Sequence, residues 1–155
     1  MRRRPDRRSA IFADTSAYFA LAAVRDQHHL EAQMLLQRAV QEGRLLYTTN
    51  FVLAETHALL LHRLKPATGA PTARAIALRT VEQLYDSAER RNTLVRVTSG
   101  DEARAFQILA HYHDKVFTFT DATSFAVMER LAIPLALTFD GDFTRAGFVR
   151  YGELG

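Results

Sequence analysis

The sequence predicts a single α/β domain built on a mostly parallel sheet that helices cover on both faces. Short β-like runs alternate along the chain with helical patterns, and neither an internal repeat nor an interdomain linker interrupts them. Such alternation is typical of βαβ units with right-handed crossovers. A chain of 155 residues with 48% apolar side chains is long enough to bury one core. We therefore expect one domain over residues 10–155, preceded by an arginine-rich, disordered leader over residues 1–9.

The first half of the chain predicts two strands and two helices in alternation. Short apolar runs predict the strands, and apolar residues at helical spacing, bounded by Thr, Asn or Gly, predict the helices. The strands are expected at residues 10–13 and 45–48, and the helices at 26–42 and about 49–63, with a strand-to-helix turn at 14–16.

The second half repeats this alternation after a loop of helix breakers at residues 66–71. Ser99 and Glu102 have the spacing of a capping box, and Asp121 begins another helix, with Thr120 as a candidate cap. The expected helices cover about 72–90, a segment starting at 99, and 121–131; the expected strands cover 93–98, 135–139 and 148–150.

Charge and composition limit the classes of function. The leader's first eight residues carry a net charge of +4, so the rest of the chain sums to −1 although the whole is +3. The folded body is not basic overall, and affinity for nucleic acid requires a local patch or the tail. Eighteen of the 20 basic residues are arginine, which suits phosphate contacts but equally follows from GC-rich codon usage.

Two absences in the sequence narrow the alternatives further. No apolar run approaches the roughly 18 residues of a membrane span, and no apolar signal segment follows the basic N-terminus, so we expect a cytoplasmic protein. The chain has no cysteine, which excludes disulfides and thiolate metal sites. Any metal must bind oxygen or imidazole ligands. The pairs His28-His29 and His111/His113 lack an acid at ligand spacing and are expected to be solvated or helix-end residues.

Four carboxylates stand out by position. Asp14 and Asp140 each follow a predicted strand, and carboxyl ends of parallel strands share one edge of the sheet. Glu55 lies on an apolar helix face, with Phe51, Val52, Ala58 and Leu59 at the neighbouring helical positions. Asp121 opens a helix whose inward face carries Phe125 and Met128. A buried carboxylate needs a charged or hydrogen-bonding partner. The four acids together make an excess of negative charge, which a hard cation would balance.

Oxygen ligands without cysteine favour Mg²⁺ or Mn²⁺ over zinc. Clustered carboxylates that hold one or two such ions are a recurring solution for phosphodiester hydrolysis. The residues alone therefore favour a metal-dependent enzyme that acts on nucleic acid.

The segments around the four acids also resemble those of a known protein family. Asp14 in IFADTSAYFAL, Glu55 in TNFVLAETHALL, Asp121 in FTFTDATSFAVMERLAI and Asp140 in LTFDGDF resemble the motifs of PIN-domain ribonucleases, in particular the VapC-like toxins of toxin-antitoxin pairs. The resemblance spans nearly the whole chain. It implies a PIN-like three-layer α/β/α sandwich, a Mg²⁺- or Mn²⁺-dependent endoribonuclease, a homodimer and a cognate antitoxin.

The same resemblance assigns roles to individual residues. It implies that Asp14, Glu55, Asp121 and Asp140 are catalytic metal ligands and that Asp142 is an accessory acid. Thr15, Ser16 and Thr138 are candidates to support a ligand or a carboxylate by hydrogen bonding.

Two alternatives remain open from the sequence. A metal-dependent phosphatase or a phosphoacceptor domain also places an aspartate after the first strand, but Ser16 stands where a phosphatase of the haloacid dehalogenase type needs a second aspartate. A PIN module that binds RNA or a partner without cleavage is the other alternative. Retention of all four acids disfavours it, because a scaffold has no use for a carboxylate at position 55.

Overall fold

The computed structural model describes residues 9–153, so the predicted leader falls almost entirely outside the described residues. The strands are β1 (Ala10–Ala13), β2 (Leu45–Thr49), β3 (Leu94–Val95), β4 (Leu135–Leu137) and β5 (Val149–Arg150). The helices are α1 (Thr15–Ala22), α2 (His29–Gln41), α3 (Asn50–Thr68), α4 (Ala70–Arg91), α5 (Ser99–His111), α6 (Phe119–Leu131) and α7 (Asp142–Arg145).

All paired strands are parallel, and the sheet order is β3-β2-β1-β4-β5. The predicted three-layer α/β/α architecture with a parallel central sheet is confirmed. The chain runs outward from β1 through β2 to β3 and then returns to the other side of β1 as β4. The strand order therefore reverses between β1 and β4, and the crevice beyond the carboxyl ends of strands at such a point is the usual ligand site of an open α/β sheet.

Aromatic packing under this crevice joins the sheet to its helices. All four residues of β1 are buried, as expected for a central parallel strand. The ring of Phe12 lies 6.3 Å from that of Phe143 in α7, and Phe143 lies 5.0 Å from Phe125 in α6. The three rings are at most 1% exposed. A rigid apolar floor therefore supports the loop between β4 and α7.

Helix α3 is longer than predicted. We expected it to end near Arg63 and a loop to follow over residues 66–71, but the helix continues through Pro66 to Thr68. Proline in the last turn removes a single N–H donor, and extensive packing of α3 against α4 favours the extra turn. The break is confined to Gly69, whose φ of +83° is strained for any side chain.

The caps of α5 and α6 also differ from the prediction. Thr98 and Asp101, rather than Ser99 and Glu102, form the capping box of α5. Thr118, rather than Thr120, caps α6, and Asp121 is its third residue. Each helix start offers two hydroxyl residues as caps, and the one that bonds reciprocally with an aspartate three residues later determines the start.

The remaining differences concern element ends. The helix expected from residue 26 begins at His29, and the two-residue strands β3 and β5 are shorter than predicted. Strand β4 ends at Leu137, two residues early. Both edge strands are short, which limits pairing with other chains. No described helix is both long and apolar enough for a membrane span.

Candidate active site

A cavity of about 140 Å³ lies at the reversal point of the sheet. Its wall contains the four carboxylates that stand out in the sequence: Asp14, Glu55, Asp121 and Asp140. Residues from opposite ends of the chain therefore meet in one small polar space. The floor includes Phe143, which links the cavity to the aromatic core.

Each acid reaches the cavity through the element that carries it. Asp14 follows β1 directly and caps α1, while Asp140 follows β4 after two residues. Glu55 lies in the second turn of α3, the helix that leaves β2. Asp121 lies in the first turn of α6, which packs against α3. The carboxyl edge of the sheet and three helix N-terminal regions thus converge on one point.

Asp14 is 5% exposed and held by three donors. Its Oδ1 accepts hydrogen bonds from the hydroxyl of Ser16 (2.7 Å) and the backbone N–H of Ala17 (3.2 Å). Its Oδ2 accepts one from the hydroxyl of Thr138 (2.9 Å). Burial nevertheless raises the pKa of Asp14 to about 7, because these bonds offset only part of the loss of hydration. The three donors orient the carboxylate of Asp14, but none of them carries a positive charge that would balance it.

Thr138 ties Asp14 to the loop that carries Asp140. Its hydroxyl oxygen accepts the backbone N–H of Asp140 at 2.9 Å while the hydroxyl faces Asp14. The backbone N–H of Phe139 donates to Ser16 Oγ at 2.8 Å. The hydroxyls of Ser16 and Thr138 therefore fix the β4–α7 loop against the N-terminus of α1.

Asp121 combines a helix-capping bond with a place in the cavity. Its Oδ2 accepts the backbone N–H of Thr118 at 2.9 Å, and its own N–H donates to Thr118 Oγ1 at 3.0 Å. Burial raises the pKa of Asp121 to about 6, and the charges of Asp140 and Glu55 add to the increase. The other carboxylate oxygen is not used by the cap.

Asp142 lies close to two of the cavity acids but does not line the cavity itself. One carboxylate oxygen each of Asp121, Asp140 and Asp142 lies within 4.8 Å of the others, which is suitable for a shared cation. Asp142 does not line the cavity, however, and its Oδ1 accepts a bond of 2.8 Å from Arg145. Its backbone N–H donates to Asp140 Oδ1 at 2.9 Å. We regard it as a rim residue that also positions Asp140.

Two buried hydroxyls on the cavity wall have no hydrogen-bond partner. They are the hydroxyls of Thr15, which is 6% exposed, and Ser124, which is 1% exposed. Buried polar atoms are nearly always satisfied, and both residues line the cavity, so we expect a water or a ligand to supply the missing hydrogen bonds. Thr15 was predicted from the sequence, but Ser124 was missed. The available signal was its position three residues after Asp121, on the same face of α6.

The donor set fits a hard divalent cation. Within residues 9–153, none of the four cavity carboxylates forms an ion pair with a Lys, Arg or His side chain, although two of them are buried. The polar side chains that line the cavity offer oxygen atoms only, including the hydroxyls of Thr15 and Ser124. Oxygen ligation of this kind is typical of Mg²⁺ and Mn²⁺.

Comparison with known proteins identifies the family. The PIN domain model matches residues 11–149. The chain is 37% identical over 139 residues to the 23S rRNA-specific endonuclease VapC20 of Mycobacterium tuberculosis, covering 90% of this chain and 95% of the relative. It is 27% identical over 140 residues to a VapC ribonuclease of Archaeoglobus fulgidus, covering 87% and 80% respectively.

A solved structure supports the same relationship. The crystal structure of Mycobacterium tuberculosis VapC20, described as a sarcin-ricin loop cleaving toxin, superposes with a TM-score of 0.69 at 33% identity. The superposition covers 90% of this chain and 96% of that one. With matching fold, matching length and similar sequence, the chain belongs to the PIN-domain family and is VapC-like within it.

Proposed function

We propose that the protein is a metal-dependent endoribonuclease and the toxin of a toxin-antitoxin pair. The observation that carries the proposal is the convergence of Asp14, Glu55, Asp121 and Asp140 on one cavity, in a chain 37% identical to a named 23S rRNA-specific endonuclease. The phosphatase alternative has no comparable support, because Ser16 bonds Asp14 and occupies the place where a second catalytic aspartate is needed.

Asp14, Glu55, Asp121 and Asp140 are the residues that would hold Mg²⁺ or Mn²⁺, with Asp142 at the rim. A divalent ion in such a site polarises phosphoryl oxygens and lowers the pKa of water. The protein supplies the placement: three donors fix Asp14, the capping box fixes Asp121, and the N–H of Asp142 fixes Asp140. The choice between Mg²⁺ and Mn²⁺ is a proposal from ligand chemistry.

Hydrolysis needs a water oxygen to attack phosphorus while the bond to the leaving ribose oxygen breaks. The attacking water gives up one proton, and the leaving oxygen gains one. Thr15 and Ser124 line the cavity and have hydroxyls without a partner, and we expect these to hydrogen-bond a water or a phosphate oxygen when the site is filled. Charge on the phosphoryl group rises during attack, and pre-oriented groups that stabilise it make the largest contribution to such reactions.

The named relatives suggest a substrate class. VapC20 is described as cleaving 23S rRNA, in the sarcin-ricin loop. We extend to this chain the proposal of a structured rRNA loop as substrate. A homodimer and inhibition by a cognate antitoxin belong to the same proposal and rest on the VapC resemblance alone.

The first experiment measures cleavage of total RNA and of a 23S rRNA hairpin by purified protein. The metal arms are Mg²⁺, Mn²⁺ and EDTA, and the variants are Asp14→Asn and Met34→Ala. Met34 is an exposed residue of α2 outside the cavity, so its substitution controls for preparation effects. We expect cleavage that needs metal, disappears in Asp14→Asn and persists in Met34→Ala.

Each outcome separates the candidates. Metal-dependent cutting that requires Asp14 supports the nuclease, and a single rRNA cut supports the substrate. Equal inactivity of the native protein and Asp14→Asn with every metal and RNA, while RNA still binds, would support the non-catalytic module instead.

A further inference from the structure

Three phenylalanine rings form a row across α5 and the two helices that carry Glu55 and Asp121. Phe51 lies in the first turn of α3, Phe119 is the first residue of α6, and Phe106 lies on α5. The ring centroids of Phe51 and Phe119 are 6.0 Å apart, and those of Phe119 and Phe106 are 5.1 Å apart. We call Phe51, Phe119 and Phe106 the aromatic row.

The two inner rings of the aromatic row belong to residues that are sequence neighbours of cavity residues but do not themselves line the cavity. Phe51 precedes the cavity residue Val52 and lies one turn before Glu55, while Phe119 precedes the cavity residues Thr120 and Asp121. The row therefore leads from the two helix N-termini that hold the acids out to α5. Because the row lies on the helices that bring Glu55 and Asp121 to the cavity, we expect nucleotides that flank a bound phosphate to meet it.

The outer ring is open to solvent. Phe106 is 62% exposed, and it is the one exposed phenylalanine among the ten, all of which lie within residues 9–153. It stacks on Phe119 at an interplanar angle of 24°, which leaves its other face uncovered. Other strongly exposed apolar side chains, such as Leu30 and Met34, are aliphatic and lie on α2.

We propose that the aromatic row stacks unpaired bases of the RNA beside the scissile phosphate, with Phe106 as the outer stacking residue. The proposal rests on the ribonuclease function proposed above and adds a positioning site for the nucleotides that flank the cut. Recognition of RNA in loops uses bases that are splayed out and stacked on aromatic side chains. Stacking tolerates any base, since each has an aromatic face.

The size of the surface favours bases over a second protein. Phenylalanine buries at most about 200 Å² in full, and Phe106 is 62% exposed while Phe51 and Phe119 are half-buried, so the three rings together expose at most about 270 Å². A stable protein interface needs about 800 Å² from each partner. One or two bases match the available area, whereas a subunit contact requires a much larger apolar surface than the row offers.

The test is the affinity of single-stranded RNA in an Asp14→Asn background with Mg²⁺, measured by fluorescence anisotropy. The probes are a labelled oligoadenylate and the same strand with abasic sites. Phe106→Ala is expected to weaken oligoadenylate binding by roughly 5- to 150-fold. Phe106→Trp should retain binding, and Met34→Ala, which removes an equally exposed apolar side chain elsewhere, should leave it unchanged. The abasic strand should bind with the same affinity whether or not the protein carries Phe106→Ala.

Several results would overturn the proposal. These are unchanged oligoadenylate affinity in Phe106→Ala, an equal loss for the abasic strand, no measurable binding of either strand before substitution, or conversion of a dimer to a monomer by Phe106→Ala in light scattering. The last result would assign the row to self-association.

Cleavage kinetics separate this proposal from the one on which it rests. In the otherwise native protein, Phe106→Ala should raise KM more than it lowers kcat, because the ring holds the strand and not the reacting atoms. Metal-dependent cleavage with an unchanged KM in Phe106→Ala rejects the stacking role and leaves the nuclease intact. Stacking affinity that depends on Phe106 in a protein that never cuts RNA rejects the nuclease and retains the aromatic row.

Discussion

Asp101 and Asp121 occupy the same position in two successive helices but have different partners. Each is the third residue of its helix and forms a capping box with a threonine three residues earlier, Thr98 or Thr118. Asp101 also accepts two bonds of 2.8 Å from Arg130, which hold the pKa of its carboxyl below the usual value. Asp121 has no such cation and faces the cavity, where burial raises its pKa.

This pair provides a matched test of the site. Asp121→Asn should lower RNA cleavage at least about 100-fold, because it removes a proposed metal ligand. Asp101→Asn should retain cleavage and instead lower the free energy of unfolding by about 1 to 2 kcal/mol, since Arg130 is 43% exposed and the pair is partly screened. Cleavage assays and urea unfolding of both variants measure the two effects. Equal loss of cleavage in both would mean that folding, and not metal binding, accounts for the effect at Asp121.

Thr138 should contribute to catalysis through Asp14 and Asp140. Thr138→Val keeps the shape of the side chain but removes the hydroxyl that bonds both residues. We expect a loss of cleavage and metal affinity of about 10- to 100-fold, the usual effect of removing a group that orients a ligand. Thr138→Ser should restore most of both. Metal affinity is measured by calorimetry, and a Thr138→Val protein that binds Mn²⁺ normally would contradict the orienting role.

The position of the acids could be predicted from the sequence because it follows from chain topology. Asp14 and Asp140 each follow an apolar run, and the carboxyl ends of parallel strands share one edge. Glu55 was identifiable as a lone carboxylate on an apolar helix face. These inferences need only periodicity and strand direction.

The details that were missed depend on choices between similar neighbours. Ser99 and Thr120 are alternative caps to Thr98 and Thr118 in the sequence. Thr98 and Thr118 are the caps in the structure because they bond reciprocally with Asp101 and Asp121. Ser124 resembles any small buried residue of α6 until its hydroxyl is found without a partner. Local propensity does not contain that information, since it arises from tertiary packing.

Ser124 should matter to activity and not to stability. Ser124→Ala removes a buried hydroxyl that has no partner, so the metal-free protein should be equally stable or more stable by about 1 kcal/mol. If the hydroxyl holds a water or a phosphate oxygen, cleavage should fall by about 10-fold. Thr123→Ala is the control, because its neighbouring hydroxyl already bonds Thr120. Unchanged cleavage in Ser124→Ala would remove this residue from the site.

Asp142 should contribute less than Asp140. Its carboxylate lies at the rim and is paired with Arg145, so Asp142→Asn should lower cleavage by about 10-fold or less, whereas Asp140→Asn should nearly abolish it. Arg145→Ala frees the carboxylate and should leave cleavage unchanged or strengthen Mn²⁺ binding. Initial rates at saturating metal distinguish these cases, and an equal loss in Asp142→Asn and Asp140→Asn would place Asp142 among the essential ligands.

The buried acids should make the metal-free protein less stable as pH rises from mildly acidic to mildly basic values. The pKa values of Asp14 and Asp121 are about 7 and about 6 in the folded metal-free protein, against about 3.9 in an unfolded chain. The folded state therefore holds more protons between these values, and stability falls as pH rises through that window. From about pH 5.5 to about pH 8 in EDTA, Asp14 alone should cost roughly 2 kcal/mol, or about 4 to 8 °C in Tm.

Divalent metal should reverse this dependence. Cations bind the deprotonated carboxylates, so Mg²⁺ or Mn²⁺ should raise Tm more at about pH 8 than at about pH 5.5. Asp14→Asn should weaken the dependence of Tm on pH in EDTA and reduce the increase of Tm with metal, because it removes the carboxylate whose pKa is raised furthest. Differential scanning fluorimetry across this pH range measures both effects. A native protein whose Tm in EDTA rises steadily across the same range would show that Asp14 is ionised without cost and that its burial creates no demand for a cation.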